Sequence, residues 1–144
     1  RTLFESRCLI LGYGKCAKAL ARLLSMQTPY LSVAARNPVQ LAEASLTGAR
    51  TFSLEQLSDC ELSSFDFIFN TIPAPVLTNT LLEQISPSAL LLDLASAPGG
   101  FNLEKAKSMG KNAHLLLGLP GKYAPLSSAE KMMSFIFQHI KLSS

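Results

Sequence analysis

Short, wholly apolar runs alternate along this chain with stretches whose apolar residues recur every three or four positions. Cys8–Leu11 is apolar and runs straight into Gly12-Tyr13-Gly14. Behind that turn, Ala17, Leu20, Ala21 and Leu24 share one face of a helix over Lys15–Ser25. Leu31–Ala35 reads as a second strand, ended by Arg36-Asn37-Pro38. Pro38 then stands near the start of a short helix over residues 39–45, where a proline is tolerated. Residues 50–52 form a third strand, and Ser53 is placed to cap a helical turn through Leu57. A fourth strand over 65–71 stops at Ile72-Pro73-Ala74-Pro75, and Thr78 or Asn79 caps a helix to about Ile85. The fifth strand, 89–94, sets five apolar residues around Asp93 and breaks at Pro98-Gly99-Gly100. A helix over 103–109 ends at Gly110, and a sixth strand over 114–117 runs into Gly118-Leu119-Pro120-Gly121. Ser127 or Ser128 caps a last helix carrying Ala129, Met132, Met133, Ile136 and Ile140.

Strands that alternate with helices imply a parallel sheet covered on both faces, and such strands are continuously apolar. Residues 9–11, 67–69, 90–92 and 115–117 have that character. Six strands with right-handed crossovers predict an α/β fold: a doubly wound, six-stranded parallel sheet of the Rossmann dinucleotide-binding type, with residues 1–144 as one domain. Ligands of such sheets lie beyond the carboxyl ends of the strands, so the turns after the strands carry the candidate chemistry.

Composition narrows the picture. Hydrophobic residues make up 48% of the 144 and charged residues 16%, against about 25% charged in an average domain. A disordered chain is excluded, and some apolar surface is expected to be covered by a missing part. No apolar run approaches the ~20 residues of a membrane span. A net charge of +3 without a Lys/Arg run gives nucleic-acid binding little support, though it suits an anionic ligand. Cys8, Cys16 and Cys60 are odd in number and form no CxxC, which points to a reducing compartment, the cytoplasm. The chain opens on Arg1 with no signal-peptide pattern and reads as a piece of a longer protein. No cluster has metal-ligand spacing, so no metal is expected.

Gly12-Tyr13-Gly14-Lys15-Cys16-Ala17 is a GxGxxA motif between a strand and a helix. Gly12 permits the tight turn, Gly14 lets backbone approach a pyrophosphate, and Ala17 lets the helix lie close on the strand. The helix N-terminus then offers N–H groups to the phosphates, with Tyr13, Lys15 and Cys16 beside them. A glycine turn without a ligand is the plainer alternative. NAD sites usually carry Asp or Glu at the end of the second strand, ~20 residues on. Ala35-Arg36-Asn37 carries none, and Arg36 can stack on adenine and pair with a 2′-phosphate. NADP is therefore expected, with NAD possible. The alternative is an exposed arginine on a solvated loop.

The other strand ends complete the candidate site. Asn70, Thr71, Ile72 and Pro73 would lie along the nicotinamide half of the cofactor. Asn70 can both donate and accept there, or can cap its own loop. Leu94 and Ala95 would continue the cofactor side, with Ser96, Pro98, Gly99 and Gly100 toward a substrate. The two glycines permit close approach by a ring or a carboxylate. Asp93 is expected to be buried, accepting backbone N–H bonds, with proton transfer the lesser alternative. Lys122 is the natural partner for an anionic substrate, unless it is simply exposed on a loop that closes on a neighbouring domain. The candidate catalytic residues are thus Lys122, Ser96 and Asn70. His114 and His139 sit at no strand's carboxyl end, so neither is assigned as the base.

Asp93-Leu94-Ala95-Ser96-Ala97-Pro98-Gly99-Gly100-Phe101 also resembles the first motif of RNA ribose methyltransferases that use S-adenosylmethionine. Its position argues against that use. Only 44 residues follow Gly100, and the next strand ends without an acidic residue for a ribose.

Taken together, Leu11-Gly12-Tyr13-Gly14-Lys15, Ala35-Arg36, Phe69-Asn70-Thr71-Ile72-Pro73, Asp93 to Gly100 and Gly118 to Pro125 resemble the dipicolinate synthase A chain of spore-forming bacteria. The resemblance spans almost the whole sequence, and the sixth-strand loop is also similar to that of alanine dehydrogenases. It implies oxidation of dihydrodipicolinate, or its hydroxylated precursor, to dipicolinate with NADP or NAD as hydride acceptor. It further implies a separate N-terminal domain closing the cleft, the flavoprotein-like dipicolinate synthase B chain as partner, and a small anionic substrate. The isolated domain is then expected to be inactive alone, and homo-oligomerisation is possible. Tyr13 and Cys16 depart from the pattern and are expected to point away from the phosphates. A second class stays open: a module that senses NAD(P) and regulates a partner without chemistry.

Overall fold

A computed structural model of the chain describes residues 2–94, 99–116 and 125–143. Its elements run β1 (Cys8–Leu11), α1 (Lys15–Ser25), β2 (Leu31–Ala35), α2 (Pro38–Ser45) and β3 (Arg50–Ser53). Two 3-10 turns, Leu54–Asp59 and Leu62–Ser64, lead to β4 (Phe67–Asn70) and α3 (Asn79–Gln84). Then come β5 (Leu90–Asp93), α4 (Leu103–Ser108), β6 (Asn112–Leu115) and α5 (Pro125–Ser143). All adjacent strands are parallel, in the order β3-β2-β1-β4-β5-β6. This is the doubly wound Rossmann arrangement that the alternating pattern predicts.

Each central strand is buried on both faces, which is why its residues are apolar without alternation. Successive side chains still divide between two cores. Ile10, Val33, Phe69 and Leu92 pack under Leu20 and Leu24 of α1 and Met132 and Ile136 of α5. Leu9, Leu11, Ile68 and Leu91 pack on the other face against Leu57, Leu62, Leu82 and Ala106. At ~25 cal/mol per Å² of apolar surface removed from water, these two layers dominate the stability.

Registry lines up the strand ends. Leu11 stands opposite both Ala34 and Asn70, and Asn70 stands opposite Asp93. The ends of β1, β2, β4 and β5 therefore lie along one edge of the sheet. Strand order reverses between β1 and β4, so that edge is also the topological switch point.

Some local expectations shift. The sixth strand lies at Asn112–Leu115 rather than 114–117, because Asn112 pairs with Leu90 and Leu115 with Asp93. As the last strand in the order it is an edge, and an edge need not be continuously apolar. Helix α5 starts at Pro125, so Ser127 and Ser128 lie within its first turn instead of capping it. The turn at Leu62–Ser64 has no periodic signal; it forms because Leu62, 1% exposed, fills the core beneath it.

Candidate functional site

The first turn is built by glycine. Gly12 has φ +98°, and a Cβ there would lie 2.5 Å from Thr71 Oγ1 and 2.9 Å from Ile72 Cγ1. Only a residue without a side chain fits between β1 and the loop after β4. Hydrogen bonds fix the contact: Gly12 N donates to Ala34 O at 2.7 Å, while Thr71 N and Thr71 Oγ1 donate to Leu11 O at 3.0 and 2.8 Å.

Gly14 is different. Its backbone is extended, with φ −78° and ψ −164°, and a Cβ there would meet nothing within 4 Å. Nothing in the fold itself requires glycine here; a closely approaching ligand would. Gly14 is the N-cap of α1 and gives no side-chain cap, and no acidic residue occupies the first turn. By contrast, Asn37 caps α2, Thr78 caps α3 and Asn102 caps α4 through side-chain oxygens. Helix α1 thus presents its first N–H groups and the positive end of its dipole uncapped by a side chain, the arrangement suited to an anion.

The turns enclose a cleft of about 530 Å³. Eleven of the predicted cofactor residues line it: Gly12, Tyr13, Gly14, Lys15 and Cys16 from the first turn; Ala35, Arg36 and Asn37 from the second; Thr71, Ile72 and Pro73 from the fourth. Ala17, Gln40 and Leu54 line it too. Leu54 follows β3, so the rule that strand ends carry ligands would have found it; Gln40 is brought in by the first turn of α2. Among the described residues, the lining holds two cations, Lys15 and Arg36, and no carboxylate. Arg36 is exposed at the end of β2. Asn37 directs its side-chain oxygen to the N–H groups of Val39, at 2.8 Å, and Gln40.

Tyr13 is 4% exposed and joins the core beneath α1. Burial pushes its phenol pKa up, with Lys18, whose ammonium lies 5.9 Å from the ring centroid, acting the other way. Cys16 is half-buried in the first turn of α1.

Asn70 lies behind the cleft. It is fully buried, and its amide is held by Ile72 and Asp93, so the loop-capping reading describes it. Leu94 donates its N–H to Asn70 O at 2.9 Å and packs against the α1 core, away from the cleft lining. Gly99 has φ +81°, with Asp93 Oδ2 2.7 Å from where its Cβ would be, and a Cβ on Gly100 would overlap the Asn70 amide. The carboxylate that these glycines admit is the chain's own Asp93. Ala95, Ser96, Pro98 and Lys122 lie outside the described residues. Among the described residues no group of His, Cys, Asp and Glu could hold a metal, and no helix is long and apolar enough to cross a membrane.

No family model matches the chain. The dipicolinate synthase A chain of Bacillus subtilis (strain 168) is 33% identical over 129 residues, 90% of this chain and 43% of that protein. The structure of the Bacillus halodurans dipicolinate synthase A chain matches with a TM-score of 0.78 at 30% identity, covering 96% of this chain and 47% of the other. That of the Bacillus subtilis A chain matches with a TM-score of 0.77 at 31% identity, covering 100% and 49%. L-idonate 5-dehydrogenase from Escherichia coli, at 15% identity and a TM-score of 0.62 over 94% and 41%, shares the fold. The resemblance read from the strand-end turns therefore stands, and the chain spans just under half the length of these relatives.

Proposed function

We propose that this chain is the dinucleotide-binding domain of an NADP-linked oxidoreductase of the same kind as the dipicolinate synthase A chain. The observation that carries the reading is the pairing of an open Gly14 with a helix end that has no side-chain cap, inside a cleft free of carboxylates. Pyrophosphate would take the N–H groups at the start of α1. Arg36 would meet the adenosine 2′-phosphate, and Thr71, Ile72 and Pro73 would wall the nicotinamide end. When bound, the cofactor supplies a hydride acceptor; the chain's part is to orient it and keep water out.

By resemblance, the substrate is dihydrodipicolinate or its hydroxylated precursor and the product dipicolinate, made in the cytoplasm during spore formation. A second domain would complete the site, and a dipicolinate synthase B chain would be the partner. Lys122 stays the candidate for the anionic substrate: Lys122→Ala in the two-domain enzyme should raise KM with little change in kcat. The methyltransferase motif loses support, since Asp93 is bonded to Gly100 and Asn70 inside the fold.

The test is a parallel titration of the chain with NADPH, NADH and S-adenosylmethionine, read by calorimetry. NADPH is expected to bind tightest. Arg36→Ala is expected to cost roughly tenfold to a hundredfold in NADPH affinity, the worth of a charge-assisted hydrogen bond, and to leave NADH nearly unchanged. Binding of S-adenosylmethionine alone would overturn the proposal.

A further inference from the structure

The wall of the cleft formed by the loop after β4 is held from behind. Asp93 closes β5 and is 1% exposed; Asn70 closes β4 and is 0% exposed. Asn70 Nδ2 donates to Asp93 Oδ1 at 3.0 Å and to Ile72 O at 2.8 Å, and Ile72 N donates back to Asn70 Oδ1 at 3.2 Å. Asp93 Oδ2 accepts from Gly100 N at 2.8 Å, and Gly100 O accepts from Leu77 N at 2.9 Å. Residues 70–77 are therefore anchored at the start through Asn70 and at the end through Gly100. Both anchors meet on one carboxylate. Ile72, placed this way, lines the cleft and packs on Gly12.

The donor inventory explains why the carboxylate is needed. Among the described residues, the N–H groups of Asn70 and Gly100 converge on its two oxygens, which only accept. An asparagine in either amide orientation would set an N–H₂ against one of those donors. The Asn70 orientation is equally determined, because its N–H₂ faces two oxygens.

We infer that Asp93 and Asn70 are a positioning pair, which holds the 70–77 loop against the glycine turn in the conformation that receives the dinucleotide. The pair touches neither cofactor nor substrate; it acts through Ile72. The inference rests on the dinucleotide reading above for its ligand and on the hydrogen-bond network for the clamp itself. A loosened loop would have to be ordered at the moment of binding, which costs affinity.

The experiment compares the wild-type chain with Asp93→Asn, Asn70→Asp and the double variant. NADPH is titrated into each, and amide exchange is measured on ligand-free samples. Each single variant is expected to lose about tenfold in NADPH affinity: Asp93→Asn sets donor against donor, and Asn70→Asp sets two buried carboxylates face to face with no donor between them. Exchange should quicken at Ile72, Leu77 and Gly100 and stay unchanged at Lys18. The double variant restores a donor facing an acceptor between positions 70 and 93, so it should bind NADPH more tightly than Asn70→Asp alone. Wild-type affinity in the single variants, or simply additive losses in the double, would overturn the pairing. If the wild-type chain binds no dinucleotide, the dinucleotide reading fails, and exchange alone decides the clamp: faster at those three amides upholds it, unchanged overturns it. Should Asp93→Asn not fold, Asn70→Ser removes the amide without adding charge and is judged by the same exchange.

Discussion

Gly12 and Gly14 stand two residues apart, and the fold makes different demands on them. At Gly12 the backbone is left-handed and a Cβ would strike Thr71 and Ile72. Gly12→Ala should therefore destabilise the chain by about 2 kcal/mol or more, read from urea unfolding. At Gly14 the backbone is ordinary and the space open. Gly14→Ala should change stability by less than about 1 kcal/mol. Its NADPH affinity should nevertheless drop on the order of tenfold, since the added methyl stands where backbone meets pyrophosphate. The cysteines separate in the same manner. Burial pushes the Cys8 thiol up to about 12, and raises that of Cys60 as well. With an aromatic disulfide reagent at pH 8, Cys8 should react only on unfolding, and NADPH should slow Cys16 while leaving Cys60 unchanged.

Among the elements, the short apolar runs and their turns made most of the sheet legible. β1, α1 and β2 lie where the pattern puts them: Gly12 stops β1 at once, and Pro29 and Pro38 stand within four residues of the ends of α1 and β2. The cap of α3 was legible as Thr78 or Asn79 from their side-chain oxygens, and Thr78 fills it. β6 was not, because its limits follow from pairing with β5 and not from its own composition. The Asp93–Asn70 contact was only half legible. Burial of an acid in an apolar run follows from the sequence, but its partner lies 23 residues away and only registry brings the two together. At β6, His114 is bonded through Nε2 to Asn112 Oδ1 at 2.7 Å and lies against the Phe135 ring of α5. Burial chiefly, then Lys107 and His139, lowers its pKa below the ordinary 6.5. The fold thus favours the neutral ring. Its stabilising contribution is complete above pH 6.5 and is lost as pH falls through the folded value. Urea midpoints should fall between pH 7.5 and 5.5, and His114→Gln should make that fall shallower.

Across the whole molecule, one sheet order places four strand ends along a common edge, and the cleft forms where that order reverses. In the proposed function this cleft is where the cofactor lies. The proposed function turns on a dinucleotide lying against the glycine turn at the start of α1. Amide chemical shifts followed during an NADPH titration test it most directly. Lys15, Cys16 and Ala17 should move first and furthest, with Ile72 beside them and α4 silent. Shifts centred on Gly99 and Gly100 that leave the start of α1 unmoved would contradict it.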